Sequence, residues 1–255
     1  MNSQEILWKV KALAAPIIDC EKLSLDSFSF SKRENITPGH QVGDELELFV
    51  NVLAQDGKRA EKKAENFLNT FLALLALEAS KKYKFRIANI TPIDKVVTKN
   101  GWVLLDSYKF TVEVKTKYED LDLSLLNKVS EFIQVSSTKG KKSILGALNF
   151  LYYGLNANTN SQAFLSIYGG LNQLTSKVGK AGKTRKREDL AIVEFIDKGL
   201  LEPNKARGWM EQLDNFHSKH YEVLYGEYVS DEELQNIKTF FIDFLNKFIE
   251  YQKSV

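Results

Sequence analysis

The sequence predicts an α+β protein, with a mostly antiparallel sheet carrying one long helix over residues 1–120 and an antiparallel helical bundle over residues 121–255. Three observations predict it. Apolar residues alternate with polar ones at Phe28 and Phe30, at Leu46, Leu48 and Val50, and at Phe85 and Ile87, the period of half-buried strands. After Gly57 the period lengthens, and Ala60, Ala64, Phe67, Phe71 and Leu75 line one face of a helix. Beyond Tyr118 the alternation stops and one helical pattern follows another, which is how a bundle reads.

Taken in order, residues 1–15 carry Ile6, Leu7, Val10, Leu13 and Ala14, a spacing that suits a short helix halted near Pro16. Strands follow around Phe28–Phe30 and Leu46–Val50, with Thr37-Pro38-Gly39 expected as the turn between them. The helix after Gly57 keeps Lys58, Arg59, Glu61, Lys62 and Lys63 on its outer face, so it covers a sheet. Phe85, Ile87 and Ile90 resume the alternation. Asn100-Gly101 is a hairpin turn signal, flanked by expected strands at Trp102 to Leu105 and at Phe110, Val112 and Val114.

In the second half, Leu121 to Phe132 is helical in pattern and ends at the polar run Ser136-Ser137-Thr138-Lys139-Gly140. Ile144 to Leu155 is an aromatic-rich helix. Ser161 to Leu174 follows, with Phe164, Ile167, Tyr168, Leu171 and Leu174 on one face. A Gly/Lys/Arg loop covers 176–187. Asp189 to Lys198 is a short helix closed by Gly199, and Pro203 opens the next, which runs toward Gly226. Ser230-Asp231-Glu232-Glu233 is a capping-box sequence for a last helix striped by Leu234, Ile237, Phe241, Phe244 and Phe248.

Composition narrows the function classes. Of 255 residues 44% are hydrophobic, enough for a sizeable core. The formal net charge is +2, so no global field steers the chain to nucleic acid and any binding patch must be local. Cys20 is the single cysteine, which excludes an internal disulfide, and nothing around it suggests an activated thiol. The first residues lack a signal-peptide pattern, and no apolar run reaches the roughly 20 residues of a spanning helix. A soluble, cytoplasmic protein with no membrane association is the expectation. No cofactor is expected either. Gly179-Lys180-Ala181-Gly182-Lys183-Thr184 ends like a phosphate-cradling loop, but the required glycine spacing and the preceding strand are missing.

Three segments carry a resemblance. They are Ala147-Leu148-Asn149-Phe150-Leu151-Tyr152-Tyr153-Gly154-Leu155, Ala163-Phe164-Leu165-Ser166-Ile167-Tyr168-Gly169-Gly170-Leu171, and Lys219-His220 to Tyr225-Gly226 before an acidic, capped final helix. In kind and order they resemble the HEPN superfamily (higher eukaryotes and prokaryotes nucleotide-binding domain), in its stand-alone prokaryotic branches. About half of the chain is covered, by motifs of modest specificity. The resemblance implies RNA as ligand, a homodimer formed through the bundle, and a setting in antiviral defence or a toxin–antitoxin stress response.

Many members of that family are metal-independent ribonucleases whose motif pairs an Arg with a His a few residues later. The chemistry needs no cofactor: RNA supplies its own 2′-OH nucleophile, a His moves protons near neutral pH, and an Arg holds the phosphate in bidentate fashion. On the matching positions this sequence has Lys219 for the Arg, His220 for the polar residue after it, and Tyr225 for the His. Lysine keeps the charge and loses the planar fork. Tyrosine, with an ordinary pKa near 10, is a poor base at neutral pH. Lys219, His220, Tyr225 and His217 are therefore the candidate catalytic residues, with His220 or His217 compensating for the missing His. Two readings stay open. One is an endoribonuclease that retains RNA cleavage. The other is a HEPN-like module kept for dimerisation or for docking a protein partner.

His217 and His220 share a helix face at i, i+3, but no third ligand is evident and no metal is expected. His217 and Tyr221, at i, i+4, are expected to pack together. The loop Ser176 to Arg187 holds Lys177, Lys180, Lys183, Arg185, Lys186 and Arg187 without an acid, which makes these the candidate RNA-binding residues; a solvated loop reads equally well. Phe150, Tyr152, Tyr153, Phe164 and Tyr168 fall at helical spacing, which favours core packing over base stacking.

Overall fold

The computed structural model describes residues 5–15, 28–42, 45–79, 84–93, 124–135, 138–178 and 187–254. The chain divides into two compact units, Met1–Gln134 and Val135–Val255. This division puts the helix Ser124–Val135 almost wholly with the first unit, whereas the sequence boundary at 120/121 put it with the bundle.

The first unit is an antiparallel five-stranded sheet with helices, in line with the α+β class. Its elements are β1 (Ile6–Ala15), β2 (Phe28–Ser29), β3 (Asn35–Val42), β4 (Glu45–Ala54), α1 (Gly57–Ala79), β5 (Lys84–Pro92) and α2 (Ser124–Val135). The strand order is β2-β3-β4-β1-β5. Residues 6–15 therefore form a strand, not the expected helix. Ile6 and Val10 share a face in either period, Leu13 joins them only in a helix, and what decides is partnering. β1 pairs with β4 on one side and with β5 on the other, so its backbone polar groups are taken up by two ladders. Its alternate residues Val10, Ala12 and Ala14 are buried, on the same face as Leu46, Leu48, Val50 and Val52 of β4. Helix α1 covers that face with Ala60, Ala64, Leu68, Phe71, Leu72 and Leu75.

The second correction concerns Thr37-Pro38-Gly39. These residues lie inside β3, where the register shifts between Pro38 and Gln41. Proline has no N–H for the ladder, so it sits at an irregularity. Gly39 is required beside it, because a Cβ there would stand 2.6 Å from the Phe49 ring.

Glu34 ties this unit together. Its carboxylate accepts from the Leu53 amide at 3.1 Å and from Ser31 Oγ at 3.1 Å, and pairs with Lys63 of α1. Helix α2 buries Leu126, Val129, Phe132 and Ile133, and Ser130 Oγ accepts from the Ser29 amide at 3.4 Å. The hairpin expected at Asn100-Gly101, its two strands and Cys20 lie outside the described residues.

The second unit holds α3 (Thr138–Leu155), α4 (Asn160–Thr175), α5 (Arg187–Asp197), α6 (Pro203–Leu224) and α7 (Asp231–Lys253). Helix α4 is central and packs on the other four. It lies close to α3 because glycine removes the side chain at the crossing. A Cβ on Gly170 would meet the Ala147 carbonyl oxygen at 2.8 Å and the Phe241 ring at 3.0 Å. The local signals act as expected. Gly199 ends α5 with φ of 67°, a conformation that glycine adopts without strain. Pro203 stands in the first turn of α6, and Ser230 with Glu233 forms a full capping box on α7. α7 buries Leu234, Ile237, Phe240, Phe241, Phe244, Leu245, Phe248 and Ile249, each large side chain contributing about 1.5–3 kcal/mol of transfer free energy. No helix among the described residues is long and apolar enough to cross a membrane.

Candidate functional site

The expected catalytic residues lie on α6 and just beyond its end, and the structure sorts them into three environments.

The first is a cluster of rings gathered on the buried Tyr168. Tyr168 of α4 is buried and stacks parallel to Phe164 one turn earlier. Its hydroxyl lies 2.8 Å from Nδ1 of His217, and its ring lies 4.6 Å from the ring of His220. Tyr221 meets both imidazoles edge-on, at 5.1 Å and 5.4 Å between centroids. The i, i+3 and i, i+4 spacing of 217, 220 and 221 turns all three rings to one side of α6. His217 and Tyr221 do pack together, as their spacing predicts. Nδ1 of His220 is buried with no hydrogen-bond partner. Burial, and then the neighbouring His217, lower the pKa of His220 below its ordinary 6.5, because an imidazolium there would be poorly solvated.

The second environment is an ion-pair cluster. Lys219 Nζ lies 3.0 Å from Glu233 Oε1, 3.5 Å from Glu222 Oε2 and 4.0 Å from Glu227 Oε2. The hydrogen bond to Glu233 is the main reason that the lysine pKa rises. Glu233 is itself anchored, since its Oε2 accepts from the Ser230 amide at 2.8 Å and from Ser230 Oγ at 2.9 Å. That backbone hydrogen bond is the largest cause holding its carboxyl below the usual range. The helix cap and the lysine thus share one carboxylate. Lys219 and Glu233 line a groove of about 390 Å³ together with Phe164, Phe216, Gln212, Asn215 and Asn236.

The third environment is open surface. Tyr225 caps α6 with its side chain in solvent, and Gly226 follows with φ of 97°. Tyr225 thus takes no part in the ring cluster that holds the two histidines.

Of the expected RNA-binding residues, Lys177 is exposed just past the end of α4, and Arg187 is the first residue of α5. Lys180, Lys183, Arg185 and Lys186 lie outside the described residues. Among the aromatic candidates, Tyr152, Phe164 and Tyr168 are buried, and burial pushes the Tyr152 phenol up to about 12. Phe150 and Tyr153 are exposed. Among the described residues no group of three or more His, Cys, Asp or Glu is placed to hold a metal ion.

Sequence reasoning singled out Lys219 and missed the carboxylates that surround it. The Lys219–Glu222 pair, at i, i+3, is legible from spacing; Glu227 and Glu233 reach the lysine only because the chain turns at Gly226.

Comparison with known proteins decides nothing further. The chain matches no family model, no curated protein and no solved structure.

Chemically, the site offers a neutral, partly exposed imidazole, an ammonium already surrounded by carboxylates, and a projecting phenol. An anion approaching Lys219 meets three negative charges for one positive charge, so the local field opposes phosphate binding.

Proposed function

We propose that the helical unit is a HEPN-like interaction module without nuclease activity, whose work is to bind a protein partner. The observation that carries this reading is the state of Lys219. A phosphate clamp needs an available cation, and this ammonium is engaged by Glu222, Glu227 and Glu233. The position of Tyr225 supports the same reading, since its exposed phenol is remote in kind from a base and makes no ring contact with the histidines. A cytoplasmic setting and a role in a defence or stress system belong to this proposal through the family resemblance alone, which is an argument by analogy.

His220 favours a second reading, a metal-independent endoribonuclease. A neutral imidazole with an unpartnered nitrogen could accept the 2′-OH proton if the site opened to RNA. The two readings separate in one experiment. Purified protein and a His220→Ala variant are incubated with mixed RNA in the presence of EDTA. The interaction reading expects intact RNA with both proteins. Cleavage by the wild type that disappears in His220→Ala would overturn it and establish the nuclease.

A further inference from the structure

The end of α6 and the connector to α7 expose a run of large side chains. Tyr221 is 50%, Leu224 58%, Tyr225 89% and Tyr228 71% exposed. Exposed aromatic groups clustered in this way mark interaction surfaces more often than scattered single residues do.

The surface is held in shape. The Tyr225 and Glu227 amides donate to the Tyr221 and Glu222 carbonyls at 3.1 Å and 3.0 Å. From α4, Asn160 Nδ2 donates to the Val229 carbonyl at 3.2 Å and to Asp231 Oδ1 at 2.7 Å, and Ser161 Oγ donates to the Glu227 carbonyl at 3.4 Å. The tyrosines are therefore presented on a fixed connector, which lowers the ordering cost of binding.

The surface is also acidic. Glu222, Glu227, Asp231 and Glu232 are exposed around the tyrosines, and the last turn of α6 contains no basic residue to offset the negative end of its dipole. Lys219, the nearby cation, is already paired. A second copy of this chain docking symmetrically would bring the same acidic groups face to face, which disfavours it as the occupant. Nucleic acid is disfavoured for the same reason.

We infer that this surface binds a partner protein through a basic segment bearing arginine, whose guanidinium stacks on Tyr225 and Tyr228 while pairing with Glu222 and Glu227. Arginine suits both demands at once, since its planar cation stacks on aromatic faces and its fork matches a carboxylate. Lysine would supply the charge without the plane. The inference rests on the interaction-module reading and names the chemistry of its partner.

The test uses a fluorescent peptide of alternating arginine and glycine, with a citrulline–glycine peptide and a short single-stranded RNA as the other arms. Anisotropy is read at low and at physiological salt. The arginine peptide should bind and weaken with salt, and the citrulline peptide should not bind. The double variant Tyr225→Ala/Tyr228→Ala should lose about fivefold or more in affinity, and Glu227→Gln should also weaken binding. Both tyrosine side chains lie outside the core, so the unfolding midpoint of the double variant should match the wild type. Absence of arginine-peptide binding would overturn the inference. So would equal affinity in the aromatic double variant, or RNA binding that those substitutions weaken. His220-dependent RNA cleavage, by contrast, would sink the interaction-module reading without altering the peptide result.

Discussion

Tyr168 on α4 and His217 on α6 are joined by a contact of 2.8 Å between the phenol oxygen and Nδ1, and the same phenol ring supports His220. This polar link joins two helices that also meet through the rings of Phe164 and Phe216. Tyr168→Phe keeps the ring and removes the oxygen, leaving His217 Nδ1 without that partner. The expected cost is about 1 kcal/mol, read as a lower urea midpoint. An unchanged midpoint would show that the contact contributes nothing net.

His220 links the bundle to pH. Its pKa in the folded state lies below the ordinary 6.5 expected of the unfolded chain. Between those two values the unfolded state binds more protons, so stability rises with pH. The bundle should therefore be unaffected by His220 above neutrality and lose stability as pH falls through 6.5 toward the folded value. The groups facing the imidazole are Tyr168 from α4 and His217 and Tyr221 from its own helix. His220→Gln should flatten this part of the profile. Denaturation midpoints at neutral and mildly acidic pH measure it, and parallel slopes for the two proteins would contradict the assignment.

Two glycines make a signed pair. Gly170→Ala drives a methyl into the Ala147 carbonyl oxygen and the Phe241 ring, and neither can move freely in a packed crossing. A loss of about 1–3 kcal/mol is expected. Gly208→Ala adds a methyl on the exposed face of α6 with nothing within 4 Å. Here the helix should gain about 0.5–1 kcal/mol from reduced backbone freedom in the unfolded chain. Thermal melts of the two variants should move in opposite directions.

The capping box of α7 gives a further measurement. Ser230→Ala removes the acceptor for the Glu233 amide, and the expected loss is about 1 kcal/mol. Glu233 is held below its ordinary 4.5 first by the Ser230 backbone bond and also by Lys219. Its contribution should be present above that value and fade as pH falls through the folded one. Ser230→Ala keeps the amide of residue 230, which is the largest cause, and leaves Lys219 in place, so most of this acid dependence should persist and only the part due to the hydroxyl should be lost. An acid profile unchanged from the wild type would argue that the Ser230 hydroxyl plays no part in holding the carboxylate.

Much of the second unit is legible residue by residue. Gly199, Pro203 and Ser230 act on neighbours one to four positions away, so their roles are written in local spacing. The same holds for the stripes of α1 and α7 and for the packing of His217 on Tyr221. The strand at 6–15 is different. Its apolar residues suit a helix as well as a strand, and only β4 and β5, which lie some forty and eighty residues further on, decide between them. Thr37-Pro38-Gly39 carries every mark of a turn, yet pairing with β4 on both sides of Pro38 turns it into an irregular strand.

By itself the sequence determined the α+β class, the succession of helices in the bundle, and the presence of Lys219, His220 and Tyr225 near one helix end, because all of these depend on short-range periodicity and capping; it placed the start of α3 at Ile144, six residues late, because Thr138-Lys139-Gly140 reads as a polar break. Tertiary structure alone decided what those side chains face. The turn at Gly226 carries Glu227 and Glu233 to Lys219 and converts a lone cation into a neutralised one. The crossing of α4 over α6 sets Tyr168 against two imidazoles and leaves Tyr225 in water. Charge and burial are summed over neighbours in space, and those neighbours are distant along the chain.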